Sequence, residues 1–209
     1  MRKLDIVCQM FVRSAFPASI PIYDFSMVMA VMIKGKHVGI RPLQSDDAWI
    51  LFKWFNDPKV TEDLGVREPR PSISLEEEME IVQDKIGKRS VRPFLIQDLD
   101  LDVPAGVGEL THIDVKNASA KVFVVVGETH LFTDAFFLES LGLVVDVAFR
   151  TMNLHRLEVR VPAYNDRLIR LYRYSGFEME GRLRHDHFRH GAYVDSVILS
   201  KLRDAGGLN

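Results

Sequence analysis

The densest run of chemistry-bearing side chains is His185-Asp186-His187-Phe188-Arg189-His190. Imidazoles and a carboxylate at this spacing could ligate a divalent metal, because His185 and His187 fall on one face of an extended strand and zinc accepts both ligand types. A polar turn running into Gly191 accounts for the same residues, and no metal is expected. Cys8 is the single cysteine, which excludes a disulfide framework and a multi-cysteine zinc site. Two acidic stretches stand out: Glu76, Glu77, Glu78 and Glu80, then Asp98, Asp100 and Asp102. Facing a groove, they would draw a cationic partner; a solvated helix face and a solvated hairpin are the plain reading.

The chain of 209 residues is 47% hydrophobic and 27% charged, the balance of a folded globular domain and not of a disordered segment. Its formal net charge of -2 gives no basic field for nucleic acid. Residues 1–36 read as an N-terminal extension, residues 37–203 as the domain and residues 204–209 as a tail. The basic Met1-Arg2-Lys3 raises the question of a secretory signal, but Asp5, Gln9, Arg13 and Asp24 interrupt the apolar stretches and no cleavage site follows. The apolar run from Ile20 to Ile33 contains Asp24 and Ser26 and falls short of the roughly 20 residues a bilayer demands. No membrane span and no export are expected, and a cytoplasmic location follows. The extension reads either as an arm covering the domain or a partner subunit, or as translation from an upstream start, with Met27, Met29 and Met32 as the other starts. An arm of this kind makes a homo-oligomer, such as a homodimer, plausible.

The elements that must position any site follow from periodicity and caps. Val38 to Leu43 reads as a strand that Pro42 confines to an end or edge. Ile50, Leu51, Trp54 and Phe55 have helical spacing, and Asn56-Asp57-Pro58 stops that helix. A second helix starts at Ser74, where Glu77 completes a capping box. Arg92 to Gln97, Gly106 to Val115 and Ala118 to Glu128 read as strands joined by hairpins, and the β-branched Lys121–Val126 run as central and buried. Phe137, Leu141, Val144, Val145 and Ala148 mark one face of a helix over Thr133–Met152. The strand Arg156–Val161, a helix from Asn165 to Ser175 ended by Gly176, and strands Phe177–Arg184 and Tyr193–Leu199 complete a β-α-α-β-β-β-α-β-α-β-β order.

This order resembles the GNAT superfamily of acyl-CoA-dependent N-acyltransferases, and most of all the branch of ribosomal-protein N-terminal and polyamine N-acetyltransferases. The resemblance rests on Ile40-Arg41-Pro42-Leu43, Trp54-Phe55-Asn56-Asp57-Pro58 and Asn153-Leu154-His155-Arg156-Leu157-Glu158-Val159. It continues through Asn165, Leu171-Tyr172, Ser175-Gly176-Phe177, Glu180-Gly181-Arg182-Leu183-Arg184 and Gly191-Ala192-Tyr193-Val194-Asp195. It implies an α/β (α+β) fold: a mixed, mostly antiparallel sheet of six to seven strands, helices on both faces and a splay between two central parallel strands.

The resemblance also implies an activity, transfer of an acetyl group from acetyl-CoA to a primary amine. Peptide, polyamine and aminoglycoside acceptors all stay open. Val125 and Val126 would offer backbone to the pantetheine. The loop Phe132, Thr133, Asp134, Ala135 and Phe136 would hold the pyrophosphate at a helix N-terminus, where unpaired amides favour an anion. Tyr172 matches the general-acid tyrosine, though its helical face with Leu168 and Leu171 also suits a core residue. Asn165 matches an asparagine that contacts the cofactor arm, and it would equally serve as a helix N-cap. Glu128 or Glu109 would deprotonate the amine, and each could instead be a solvated strand carboxylate.

One segment departs from the family pattern Gln/Arg-x-x-Gly-x-Gly/Ala. Over His130-Leu131-Phe132-Thr133-Asp134-Ala135 only Ala135 fits. Thr133 stands in place of glycine, and Asp134 puts a carboxylate where the phosphates belong. An outward-pointing Asp134 would weaken binding by about 0.3–1 kcal/mol, the size of a helix-dipole interaction. The alternative to an enzyme is therefore a degenerate member of the fold acting as a binding or assembly module.

Overall fold

The computed structural model describes residues 32–63, 73–189 and 191–203. Most of the N-terminal extension, with Met27 and Met29, and the tail 204–209 lie outside them. Eight strands form one sheet: β1 (Ile33–Lys34), β2 (Val38–Pro42), β3 (Arg92–Asp98), β4 (Val103–Asp114), β5 (Ser119–Val126), β6 (Arg156–Pro162), β7 (Glu178–Arg189) and β8 (Ala192–Leu202). Their order is β1-β2-β3-β4-β5-β6-β8-β7. Among the described residues the helices are α1 (Ala48–Phe55), α2 (Pro58–Asp63), α3 (Leu75–Gly87), α4 (Asp134–Asp146) and α5 (Asp166–Tyr174), and a π-helical turn, Val147–Thr151, follows α4.

The predicted class is correct, with two corrections. The sheet has eight strands because the two residues of β1 add an edge to β2. Asn56-Asp57-Pro58 ends α1 after Phe55 as expected, and Pro58 then opens the short α2. Proline suits the first helical position, and the carboxylate of Asp57 caps the turn by accepting from Lys59 N at 2.9 Å. The segment read as an exposed polar turn at His185–His190 is strand β7 as far as Arg189, and His187 is buried. A bulge between Leu183 and His187, with His185 at φ 50°, keeps the two strands paired through the polar run.

Among the described residues only β5 and β6 pair in parallel. The pairs are Ser119–Arg156, Ala120–Leu157 and Lys121–Glu158, and there the pairing ends. Beyond that point β5 stays bonded to β4 through Val126, while β6 stays bonded to β8 through Pro162. The two central strands therefore part company and leave facing backbone edges without strand partners. The far end of β5 is fastened by Ala105 O, which accepts from Gly127 N at 2.8 Å and Glu128 N at 3.1 Å.

The pleat sorts side chains to two faces. Leu95, Val107 and Val125 pack with Leu51, Trp54, Phe55 and Val82 under α1 and α3. On the other face Val144 of α4 lies over Gly108, and Phe137 of α4 meets Tyr172 of α5 edge-on. The predicted stripe of α4 holds, since Phe137, Leu141, Val144, Val145 and Ala148 are all buried. The Ser74–Glu77 capping box forms in both directions, at 3.2 and 2.8 Å. Among the described residues no helix is long and apolar enough to cross a membrane.

Candidate active site

The splay, the start of α4 and the start of α5 converge on one end of the sheet. Local sequence sets each part. Thr133 caps α4, its hydroxyl accepting from Phe136 N at 3.1 Å. Its φ of -101° is ordinary, so glycine is not demanded at this position. Thr133 N and Phe137 N also find backbone acceptors, but the amides of Asp134 and Ala135 have none among the described residues. These are the first two orphan donors of α4, and they point along the positive end of its dipole.

Asp134 does not stand as a bare charge. Arg167, from the first turn of α5, donates to its Oδ1 from Nε at 2.9 Å and from a terminal nitrogen at 2.7 Å. The same guanidinium reaches Phe132 O at 3.4 Å and lies 4.3 Å from the centroid of the Phe132 ring.

Asn165 caps α5, accepting from Leu168 N at 3.0 Å. The helix ends in a Schellman motif, with Gly176 at φ 84°, Phe177 N bonded to Tyr172 O and Gly176 N to Arg173 O. These two caps fix Tyr172, whose ring lies between Phe137 at 5.6 Å and Phe177 at 5.3 Å. It is 2% exposed, and burial pushes its phenol well above the usual tyrosine value. It is therefore protonated near neutral pH.

The two candidate carboxylates differ. Glu128 follows β5, and its Oε1 accepts from Lys53 Nζ at 2.7 Å and Trp54 Nε1 at 2.9 Å, both from α1. His130 Nδ1 lies 3.8 Å from Oε2. Burial alone would raise its pKa, but the Lys53 and Trp54 hydrogen bonds and the Lys53 charge outweigh that and hold the carboxyl below its ordinary value. Glu109, on β4, is buried and bound to Lys85 of α3. Neither is the free strand carboxylate of the plain reading.

The acidic stretches are mostly spoken for. Glu77 closes the capping box, Glu78 is buried, and Asp98 accepts from Asp100 N and Leu101 N within its own turn. His187 Nδ1 lies 3.5 Å from Ser196 Oγ. No cluster of three metal-ligating residues occurs among the described residues. Lys53, Lys85 and Arg167 carry no local signal in the sequence; each gains its role from a residue at least 24 positions away.

Residues 37–178 match the family described as acetyltransferase (GNAT) domain. An N-acetyltransferase of Bacillus licheniformis called p20 is 26% identical over 165 residues, covering 78% of this chain and 92% of that protein. A spermidine N(1)-acetyltransferase of Escherichia coli K12 is 27% identical over 161 residues, covering 77% and 83%. The fold is shared with the crystal structure of a spermidine N-acetyltransferase from Vibrio cholerae in complex with CoA and spermine. That likeness has a TM-score of 0.73 at 24% identity and covers 80% of this chain and 96% of that one.

Proposed function

The chain belongs to the GNAT acetyltransferases and is an N-acetyltransferase that uses acetyl-CoA; from that premise we propose that its acceptor is a primary amine of a cationic small molecule of the polyamine class. The donor side rests on the open splay beyond Lys121 and Glu158, with two unpaired amides of α4 at its mouth. The acceptor class is supported by the relative that acetylates spermidine.

The residues present fit the donor. The unpaired edge of β5 at Val126 offers backbone donor and acceptor to an amide-bearing arm, whereas Val125 turns its backbone to β4. The amides of Asp134 and Ala135 offer two donors to an anion. Acetyl-CoA supplies a thioester carbonyl and a thiolate leaving group. Tyr172, capped in place and protonated, donates its phenolic proton to that leaving group. Glu128 holds the acceptor ammonium through Oε2, because Lys53 and Trp54 occupy Oε1. A carboxylate held below its ordinary value stays ionised and attracts a cation, yet it is a weak proton acceptor, so water carries the proton away. Glu109 is the less suited of the two, since its carboxylate is bound to Lys85. Asn165 acts by capping α5 and so fixes Tyr172.

An amine panel tests the acceptor class. Thiol release from acetyl-CoA is followed with spermidine, spermine, a peptide with a free N-terminus and an aminoglycoside. The polyamines are expected to give the highest kcat/KM. A peptide preferred over both polyamines would overturn the assignment.

A further inference from the structure

Arg167 occupies a position that helix physics disfavours. It lies in the first turn of α5, where the dipole repels a cation, and its pairing with Asp134 is exposed on both sides, at 47% and 61%. Exposed pairs of this kind contribute little to stability. The guanidinium is nevertheless held by three separate contacts: the Asp134 carboxylate, the Phe132 carbonyl and the Phe132 ring. All three belong to the loop that lacks the glycines of the family pattern. They hold a planar cation beside the two unpaired amides of Asp134 and Ala135.

We propose that Arg167 is a diphosphate-binding side chain of this acetyltransferase, positioned by Asp134 and Phe132 and supplying the contact that a glycine-rich backbone would otherwise make. Arginine suits the task because its fork donates to two oxygens of a phosphate while another nitrogen stays on the carboxylate. The ring of Phe132 fixes the plane of the fork. Asp134, which alone at a helix N-terminus would repel the ligand, becomes the residue that keeps Arg167 in place. The role rests on acetyl-CoA being the donor.

Calorimetric titration of the full chain with CoA and with dephospho-CoA reads the contact without turnover. Arg167→Gln is expected to weaken both ligands about tenfold, the scale of a lost charge-assisted pair of hydrogen bonds. Arg167→Lys is expected to lie between, keeping the charge and losing the fork. The kcat/KM for S-acetylpantetheine, which has no diphosphate, stays at the wild-type value in Arg167→Gln. Asp134→Asn weakens CoA in the wild-type background, by releasing Arg167. In the Arg167→Gln background the same change strengthens CoA, by removing a bare carboxylate. Three results overturn the proposal: unchanged CoA affinity in Arg167→Gln, an equal loss with S-acetylpantetheine, or a loss for CoA that dephospho-CoA does not share. A wild-type chain that binds no CoA would overturn the donor reading itself, whereas a wild-type chain that binds CoA alongside an indifferent Arg167→Gln overturns only the role of Arg167.

Discussion

The indole of Trp54 lies against the backbone at Gly127, so closely that a Cβ built there would stand 2.1 Å from Cδ2 and 2.5 Å from Cγ. The contact couples α1 to the end of β5, and it sets the 2.9 Å bond from Trp54 Nε1 to Glu128. Gly127→Ala must push the buried indole away. Overpacking of this kind costs about 1–3 kcal/mol, so the melting temperature should fall by several degrees. The KM for the amine should rise more than the KM for acetyl-CoA, because Glu128 loses its anchor. An unchanged melting temperature together with an unchanged amine KM would contradict the contact.

Lys85 and Glu109 form a mostly buried ion pair, at 18% and 7% side-chain exposure. Removing one partner strands the other. Lys85→Met is expected to cost about 3–5 kcal/mol, whereas the double change Lys85→Met with Glu109→Leu recovers most of it, as apolar replacements of buried pairs do. Denaturant titration of the three proteins measures this. A single variant no less stable than the double would contradict it.

Acid should destabilise the fold through its lowered carboxylates, Glu180 most of all. The Arg156 hydrogen bond, aided by Ser200, draws the Glu180 carboxyl down to about 2 from an ordinary 4.5. Glu128 is also lowered, by Lys53 and Trp54 against the opposing effect of burial. A folded value below the unfolded one means that the unfolded chain takes up protons first as pH falls. The stabilisation is therefore complete above the unfolded value of 4.5 and, for Glu180, is lost as pH drops towards about 2. Unfolding measured from pH 6 to pH 2 should lose less stability in Glu180→Gln than in the wild type. Parallel curves would remove Glu180 from the account.

Tyr172→Phe keeps the ring between Phe137 and Phe177 and removes only the phenolic hydroxyl, the proposed proton donor. A fall in kcat of about 10²-fold is expected, within the usual range for general acids, with the KM for acetyl-CoA and the melting temperature close to wild type. A full-rate Tyr172→Phe enzyme would leave Tyr172 a core residue alone.

What was legible in the sequence was local. Ser74 with Glu77, Asn165 in its reading as an N-cap, and Gly176 after Ser175 mark helix ends within a few residues, and each helix end forms there. The β-branched run of β5 signalled a central strand. Longer reach defeated the reading. Asp134 looks like a repulsive charge until Arg167 arrives from 33 residues away, and Glu128 looks free until Lys53 arrives from 75 away. His187 looks exposed because its neighbours are polar, yet the pleat buries it. The two residues of β1 are too short to leave a period in the sequence.

The splay and the start of α4 together form the proposed site for CoA. Calorimetric titration of the full chain with CoA tests it directly. Saturable binding at one site per chain is the predicted result. No heat and no saturation up to millimolar CoA would contradict it.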